Sequence, residues 1–448
     1  MNSMDQVFDN MRKMARRHDA EVELSVQKKE ALSLSFQQQK LKKYGSDRTQ
    51  VATVRVLSEG SLGQSTTEDL SESALQQCFE DALSAAKLLG QKDTHNTLPV
   101  GLQTPPKIEQ LYAGDFNDIA VAEKLKLAED LEALALGYDK KISNVPYSGY
   151  SEFVSEYTLF SASGDKVSYS SSGASAYTMA LAREGELSKD GYKFIFKRDP
   201  RQINVKNLVS ESCELAIKML AATPLETGMY PVLIVNEAAA DLVSILVSHL
   251  SAKAVDEKTS LLKDKIGQKI APEFFEVIDD PLRSDMMGCR PFDAEGTISQ
   301  STVLISQGKP QCLLTNRYYS NKLGIPNTGH AVLSSGEISV APTNLVVKPQ
   351  KHTREALLAR YPKVLFLTEV GAIGSGLNQR TGDFSLPASG FLYTHGENPK
   401  AVDQFVISGN LLDIFNHLEG VSNKLNEDGS SVQCPDLLFS EMSIAGKN

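Results

Sequence analysis

Residues 4–16 carry Met4, Val7, Phe8, Met11 and Met14 three and four positions apart, which predicts an amphipathic helix. Alternation about Val22, Leu24 and Val26 predicts a strand, and residues 51–57 a second one, with Gly60 and Gly63 expected in the following turn. Residues 69–89 place Leu75, Cys78, Phe79, Ala82, Leu83 and Ala86 on one side, as a long helix would. Pro99, Gly101, Pro105 and Pro106 break regular structure across residues 93–110. A helix over 119–134, a strand pair over 154–177 about the Gly164-Asp165 turn, and a helix over 207–221 complete a first unit.

The segment 223–228, with Pro224 and Gly228, reads as a linker, so a first domain is expected over 1–222 and a second over 223–448. The second opens with a strand at 230–235 that runs directly into a helix at 236–247. Beyond Phe274, short apolar runs at 274–278, 303–307, 346–347 and 364–367 are separated by glycine and proline, which predicts a β-rich region with long connections. The fold class expected is α+β, an N-terminal α/β domain followed by a C-terminal β-rich domain.

Composition narrows the function. The 448 residues include 46 basic and 56 acidic side chains, a formal charge of −10, which opposes an extended phosphate-binding surface and so opposes nucleic acid as a partner. The runs Lys28-Lys29 and Lys40-Leu41-Lys42-Lys43 are too short to reverse that balance and read as solvated faces. Cys78, Cys213, Cys289, Cys312 and Cys434 are odd in number, widely spaced and without a CxxC pair, which fits free thiols in a reducing compartment. The N-terminal stretch has no signal-peptide core and no run of about 18 apolar residues occurs, so a cytoplasmic protein outside the membrane is expected.

Candidate chemistry concentrates where the strand at 230–235 meets its helix. Glu237 and Asp241 lie four apart and share a helix face, while Asn236 stands at the helix start. The acidic pair suits a hard cation or acid–base work, yet Asn236 also suits capping and the acids suit the helix dipole. No HExxH string is present, and the seven histidines, among them His330 and His395 in turn-like settings, never form a close pair. The glycine-rich 371–376 stretch lacks both the P-loop ending and the GxGxxG spacing, and no GxSxG elbow supports a nucleophilic serine.

Several motifs in order carry a resemblance: residues 260–270, Asp279-Asp280-Pro281, Arg290-Pro291-Phe292-Asp293-Ala294-Glu295-Gly296, Thr328-Gly329-His330, Thr381-Gly382-Asp383-Phe384-Ser385, Ile407-Ser408-Gly409-Asn410 and Met442-Ser443-Ile444-Ala445-Gly446. Together they resemble the TldD/PmbA family, specifically its PmbA (TldE) branch. The resemblance implies dimers enclosing a chamber, and a TldD-type partner that is a zinc peptidase acting on unfolded or ribosomally made peptides. In that partner an HExxxH helix and a later cysteine hold the zinc. Carried onto this chain, Asn236 replaces the first histidine, Asp241 the second, and Val421 stands near the cysteine position, while Glu237 persists as the would-be general base.

An amide is a poor substitute for imidazole and valine offers no donor, so no catalytic, cofactor-binding or metal-ligating residue is assigned to this chain. The expectation is a non-catalytic subunit that closes the chamber and holds peptide extended, with zinc in the TldD-type partner and a homodimer when that partner is absent. The segment 381–391 and Asn410 are expected groove elements, because an exposed strand edge receives a peptide as an added strand. The rival expectation is an active metallopeptidase with a non-standard metal site using Glu237, Asp241 and a distant histidine.

Overall fold

The computed structural model describes residues 3–334 and 336–447. The N-terminal half is an antiparallel six-stranded sheet of β1 (Ala20–Gln37), β2 (Lys40–Ser58), β3 (Ser61–Thr67), β4 (Ile142–Phe160), β5 (Lys166–Glu184) and β6 (Leu187–Lys197), in the order β3-β2-β1-β4-β5-β6. Four helices, α1 (Ser3–Arg17), α2 (Glu72–Leu89), α3 (Val121–Leu136) and α4 (Val205–Met219), accompany it.

Period-two alternation divides this sheet into two faces. Val22, Leu24, Val26, Ala52, Val54 and Val56 point to one side and pack against Phe8 and Met11 of α1 and the apolar stripe of α2. Further along the same face, Leu34, Ala174, Ala176 and Ala180 meet Ala128, Leu131 and Ala135 of α3 and Val209 and Cys213 of α4. The intervening positions face the C-terminal half: Tyr157 donates its hydroxyl to the Ala294 carbonyl (3.0 Å), and its ring meets Phe292.

The expected helices are present, within a few residues of the expected bounds. The two expected strands are longer than their apolar cores, because the ladder between β1 and β2 continues through a polar, exposed stretch to the turn at Gln38 and Gln39. Gly63 does not belong to the turn; it lies inside β3, where α2 approaches so closely that a Cβ would stand 2.0 Å from the Ala82 carbonyl oxygen. β6 gave no sequence signal, since Lys189, Asp190, Gly191 and Lys193 interrupt its apolar pattern.

The C-terminal half contains β7 (Thr223–Pro224), β8 (Gly228–Ile234), β9 (Val277–Asp279), β10 (Thr302–Ser306), β11 (Lys309–Pro310), β12 (Ala331–Ser334), β13 (Glu337–Val340), β14 (Leu345–Val347), β15 (Lys363–Val370), β16 (Asp383–Thr394), β17 (Lys400–Asn410), β18 (Leu418–Leu425), β19 (Val432–Gln433) and β20 (Pro435–Ala445). Its main sheet runs β18-β20-β8-β15-β16-β17-β7, and β20 also pairs with β17, so the sheet curls towards closure. A second sheet, β11-β10-β9-β14-β19, packs on the same core.

The expected linker at 223–228 is absorbed into this architecture: Thr223 and Pro224 pair with Val402 and Asp403 of β17, and Gly228 opens β8. Helix α5 (Asn236–Ser248) follows β8 directly. Ala238, Ala239, Ala240, Leu242, Val243, Leu246 and Val247 are all buried, which marks a helix covered on most of its circumference. The remaining helices are short: α6 (Ala252–Asp256), α7 (Arg317–Leu323), α8 (Arg354–Leu358), α9 (Ile373–Gly376) and α10 (Leu411–Asn416).

Candidate functional site

The two halves enclose a cleft of about 1080 Å³. One wall is β6, an edge strand of the N-terminal sheet, with α4 beside it; the other is formed by the start of α5, by β18 and by residues 426–428. Edge strands carry backbone groups without a ladder partner on one side. On β6, one such group is spoken for, because Phe196 N–H donates to the Asp428 carbonyl (2.6 Å).

At the cleft floor, β8 ends at Ile234 and α5 begins at Asn236. The residue preceding the helix is Val235, whose side chain cannot cap it. The expected cap, Asn236, is itself the first helical residue, and its Oδ1 accepts the N–H of Glu237 (2.9 Å). A distant carboxylate performs the capping: Asp436 Oδ1, on β20, accepts the Asn236 N–H (2.9 Å). Arg354 grips the same carboxylate in a fork, Nε to Oδ2 at 2.9 Å and Nη2 to Oδ1 at 2.8 Å. That hydrogen-bonded fork raises the Arg354 guanidinium above its ordinary value, and the Asp436 N–H is in turn held by Ser422 Oγ (2.9 Å). Three residues from β18, α8 and β20 thus fix the helix start.

Glu237 projects into the cleft and meets a cation from the other half. Lys193 Nζ stands 2.6 Å from both of its carboxylate oxygens. Asp241 lies one turn further along α5, exposed, with its carboxyl raised by partial desolvation and by the facing charge of Asp428. Val421 is buried in β18, opposite Leu437.

These residues do not fit a zinc ion. Asn236 presents an amide already bonded to the following backbone N–H, Val421 presents hydrocarbon, and Glu237 is neutralised by an ammonium. Among the described residues no group of three or more His, Cys, Asp and Glu side chains is arranged to hold a metal.

The other candidates lie apart. His330 is buried, its Nε2 2.7 Å from Asp279 Oδ2 and its Nδ1 2.9 Å from Thr328 Oγ1. Burial alone would push the Asp279 carboxyl up, but bonds from His330, Thr343 and Asn344 outweigh it and hold the carboxyl below its usual range. Asp279 is therefore a structural post joining three segments. His395 is exposed at the end of β16 and His249, buried behind α5, has its imidazole lowered by desolvation.

The groove expectation for 381–391 needs correction. From Asp383 onward the segment is β16, paired with β17 on one side. On the other, β15 covers it only from Ala388, and the 371–378 turn faces Asp383–Pro387, where Gly371 N–H donates to the Pro387 carbonyl (2.8 Å) and Asn378 N–H to the Asp383 carbonyl (2.8 Å), so little of this backbone is left for an added strand. Asn410 bonds to Thr381 O (2.8 Å) and Asp383 (3.0 Å) and caps α10, which are stabilising roles within the sheet. Lys193, Arg354 and Asp436 escaped the sequence reading altogether; they belong to distant segments and no local pattern marks them.

A third polar cluster lies between the halves. Arg55 Nη1 is 3.4 Å from Glu23 and its Nη2 3.7 Å from Glu295, all three buried. Burial pushes the Glu23 carboxyl up to about 7 despite the opposing charge of Arg55, and its Oε2 has no hydrogen-bond partner among the described residues.

Family models for the three domains of PmbA/TldA metallopeptidases match this chain in order: domain 1 over residues 22–86, the central domain over 114–220 and the C-terminal domain over 227–446. A Haemophilus influenzae protein named metalloprotease PmbA homolog is 28% identical over 437 residues, 97% of this chain and 94% of that one. Metalloprotease PmbA of Escherichia coli O157:H7 is 26% identical over 430 residues, 95% and 92% of the two chains. Among solved structures, one from Thermotoga maritima described as a modulator of DNA gyrase superposes with a TM-score of 0.91 at 26% identity over 98% of this chain and 99% of that one. TldE from Thermococcus kodakarensis shares the fold, with a TM-score of 0.84 at 20% identity over 98% and 100% of the chains. The fold described above is what these structural matches share with the chain. The chain belongs to the TldD/PmbA family, in its PmbA/TldE branch.

Proposed function

We propose that this chain is a non-catalytic, PmbA/TldE-like subunit that pairs with a TldD-type zinc peptidase and helps present unfolded or ribosomally made peptides to it in the cytoplasm. The observation that carries the reading is the cleft floor. Where the family places zinc ligands, this chain has Asn236, Asp241 and Val421, and the persisting Glu237 is paired with Lys193. A carboxylate held by an ammonium, with no Lewis acid to lower the pKa of water, is a poor general base.

The positive work of the subunit is to close the chamber and to hold peptide extended. The cleft wall at β6, an edge strand rising beside Phe366, Phe391 and Tyr393, supports that role, since backbone groups and apolar walls bind chain without regard to sequence. No helix among the described residues is long and apolar enough to cross a membrane. The formal charge of −10 argues against DNA as the ligand, whatever name a structural neighbour carries.

Native mass spectrometry with metal analysis, on tagged protein isolated from its own cells, tests the reading. A heterodimer with zinc assignable to the other chain is expected; a homodimer holding stoichiometric metal of its own would overturn it.

The second reading, an active metallopeptidase with a non-standard site, draws on the curated relatives named metalloproteases and on the two acids that remain, Glu237 and Asp241. It requires that chelator and Glu237→Gln each abolish peptide cleavage by the isolated chain.

A further inference from the structure

The β1–β2 hairpin leaves an edge that the proposed subunit role does not use. β2 pairs with β1 along its whole length, but β3 covers only Ala52–Ser58 on the other side. From Lys40 to Gln50 the outer edge has no strand partner among the described residues, an open ladder of about 35 Å at the usual rise per residue.

The two faces beside this edge differ in chemistry. A register shift between Ser35 and Phe36 sets Leu41 opposite Phe36 and Lys43 opposite Ser35. Leu41 and Tyr44 therefore stand beside Phe36 and Leu34, which pack towards α3, yet they remain 47% and 52% exposed. Lys40 and Lys43 belong to the opposite face, which also carries Lys29. Lys28, Lys29, Lys40, Lys42 and Lys43 make no ion pair among the described residues, whereas Arg48 is paired with Glu30. On a chain of net charge −10 this is a local excess of cations on and beside an unpaired ladder, with Lys29 of β1 resting over the Phe153 ring (5.7 Å).

We propose that Lys40–Gln50 is a docking edge for an extended acidic segment of another polypeptide, added as a strand beside β2. Its alternate side chains would be apolar, covering Leu41 and Tyr44, and acidic, meeting Lys40 and Lys43. Exposed edges are commonly guarded against indiscriminate pairing by lysine. The same lysines repel a basic or a second lysine-bearing strand and admit an acidic one, so the guard doubles as the selectivity element.

The test uses the full chain and two fluorescein-labelled octapeptides, one alternating valine with glutamate and one alternating valine with lysine. Fluorescence polarisation should show the glutamate peptide binding at least about tenfold more tightly, two favourable exposed charge pairs against two unfavourable ones. The Lys40→Glu/Lys43→Glu double variant, both positions exposed, should fold normally and invert that preference. Hydrogen exchange should show new protection at backbone amides within residues 40–50 and none in the interdomain cleft. Equal binding of both peptides, an unaltered preference in the double variant, or protection confined to the cleft would each overturn the proposal. So would displacement of the acidic peptide by a single-stranded oligonucleotide that protects none of these amides, since that would make the lysines a generic anion site. Association of the chain with itself, abolished by the double variant, would put a second copy in place of the acidic segment and equally overturn it.

Discussion

Glu23 shows how one side chain couples the two halves to pH. Its carboxyl is buried against Arg55 and raised to about 7, above the unfolded value of 4.5. A raised acid stabilises the folded state fully below the unfolded value and loses that stability as pH rises through the folded one. The contribution should therefore vanish between about pH 4.5 and 7, and the shift bounds it at about 3 kcal/mol. Urea midpoints for Glu23→Gln should match the parent at pH 5 and exceed it at pH 8. A parent equally stable relative to the variant at both values would remove Glu23 from the titration. Asp279 is the opposite case: its depressed carboxyl contributes stability above the unfolded value that is lost as acid protonates it.

At the scale of single elements, the start of α5 depends on residues far away in the sequence. Asp436→Ala would leave the Asn236 N–H without its acceptor and the Arg354 fork without its carboxylate. The expected loss is about 2 kcal/mol of stability, read from denaturant unfolding, with loosening of the cleft floor seen as faster amide exchange in residues 236–240. Close helix–sheet contact gives a second test. Gly63→Ala would drive a methyl group into the backbone of α2 at Ala82 and Ala86, and should cost at least about 2 kcal/mol, whereas Gly374→Ala meets open space and should be near neutral in the same assay.

The same elements explain what was legible in the sequence. α2 announced itself because its buried positions follow the helical period without interruption, and α5, buried on most sides, because helix-forming alanines and leucines follow the strand of β8 directly. β2 was legible only from Val51 onward, where one face is buried, because the exposed stretch from Lys40 has no burial pattern to read. Asn236, Asp241 and Val421 stand out in the sequence only through what the family resemblance implies, and the groups that hold Asn236 and Glu237 in place do not stand out at all. Lys193 reaches Glu237 from 44 positions earlier and Arg354 reaches Asp436 across 82, distances at which sequence carries no periodic signal. The groove assignment to 381–391 meets a related obstacle: whether a strand is an edge depends on its neighbours, and β16 has β17 on one side and β15 with the 371–378 turn on the other.

For the molecule as a whole, the seam between the halves joins a small apolar cluster of Leu159, Val167 and Phe292 to a set of long-range polar bonds. Arg198 alone donates to the carbonyls of Ser172 (3.0 Å), Ser284 (2.8 Å) and Met286 (2.6 Å), joining both halves through one guanidinium. Lys189 pairs with Asp403 across the same boundary, as Lys193 does with Glu237. Arg198→Met keeps the apolar stem but strips those bonds, and should cost about 3 kcal/mol. Differential scanning calorimetry should then resolve separate transitions for the two halves; a single transition at the parent temperature would mean that the seam is held elsewhere.

The position of β20 within its sheet has a consequence for biosynthesis. It lies between β18 and β8 and also reaches β17, yet it follows all the other described strands in sequence and so is made after them. The N-terminal sheet is built largely from hairpins between successive strands and has all its strands by Lys197. A nascent chain halted before Pro435 would therefore display a finished first sheet beside a second one still missing the strand that joins β18 to β8 and β17, each of the three holding an unfilled edge. Between those two moments the ribosome adds more than two hundred residues, and the emerging C-terminal half has to be shielded for that whole interval.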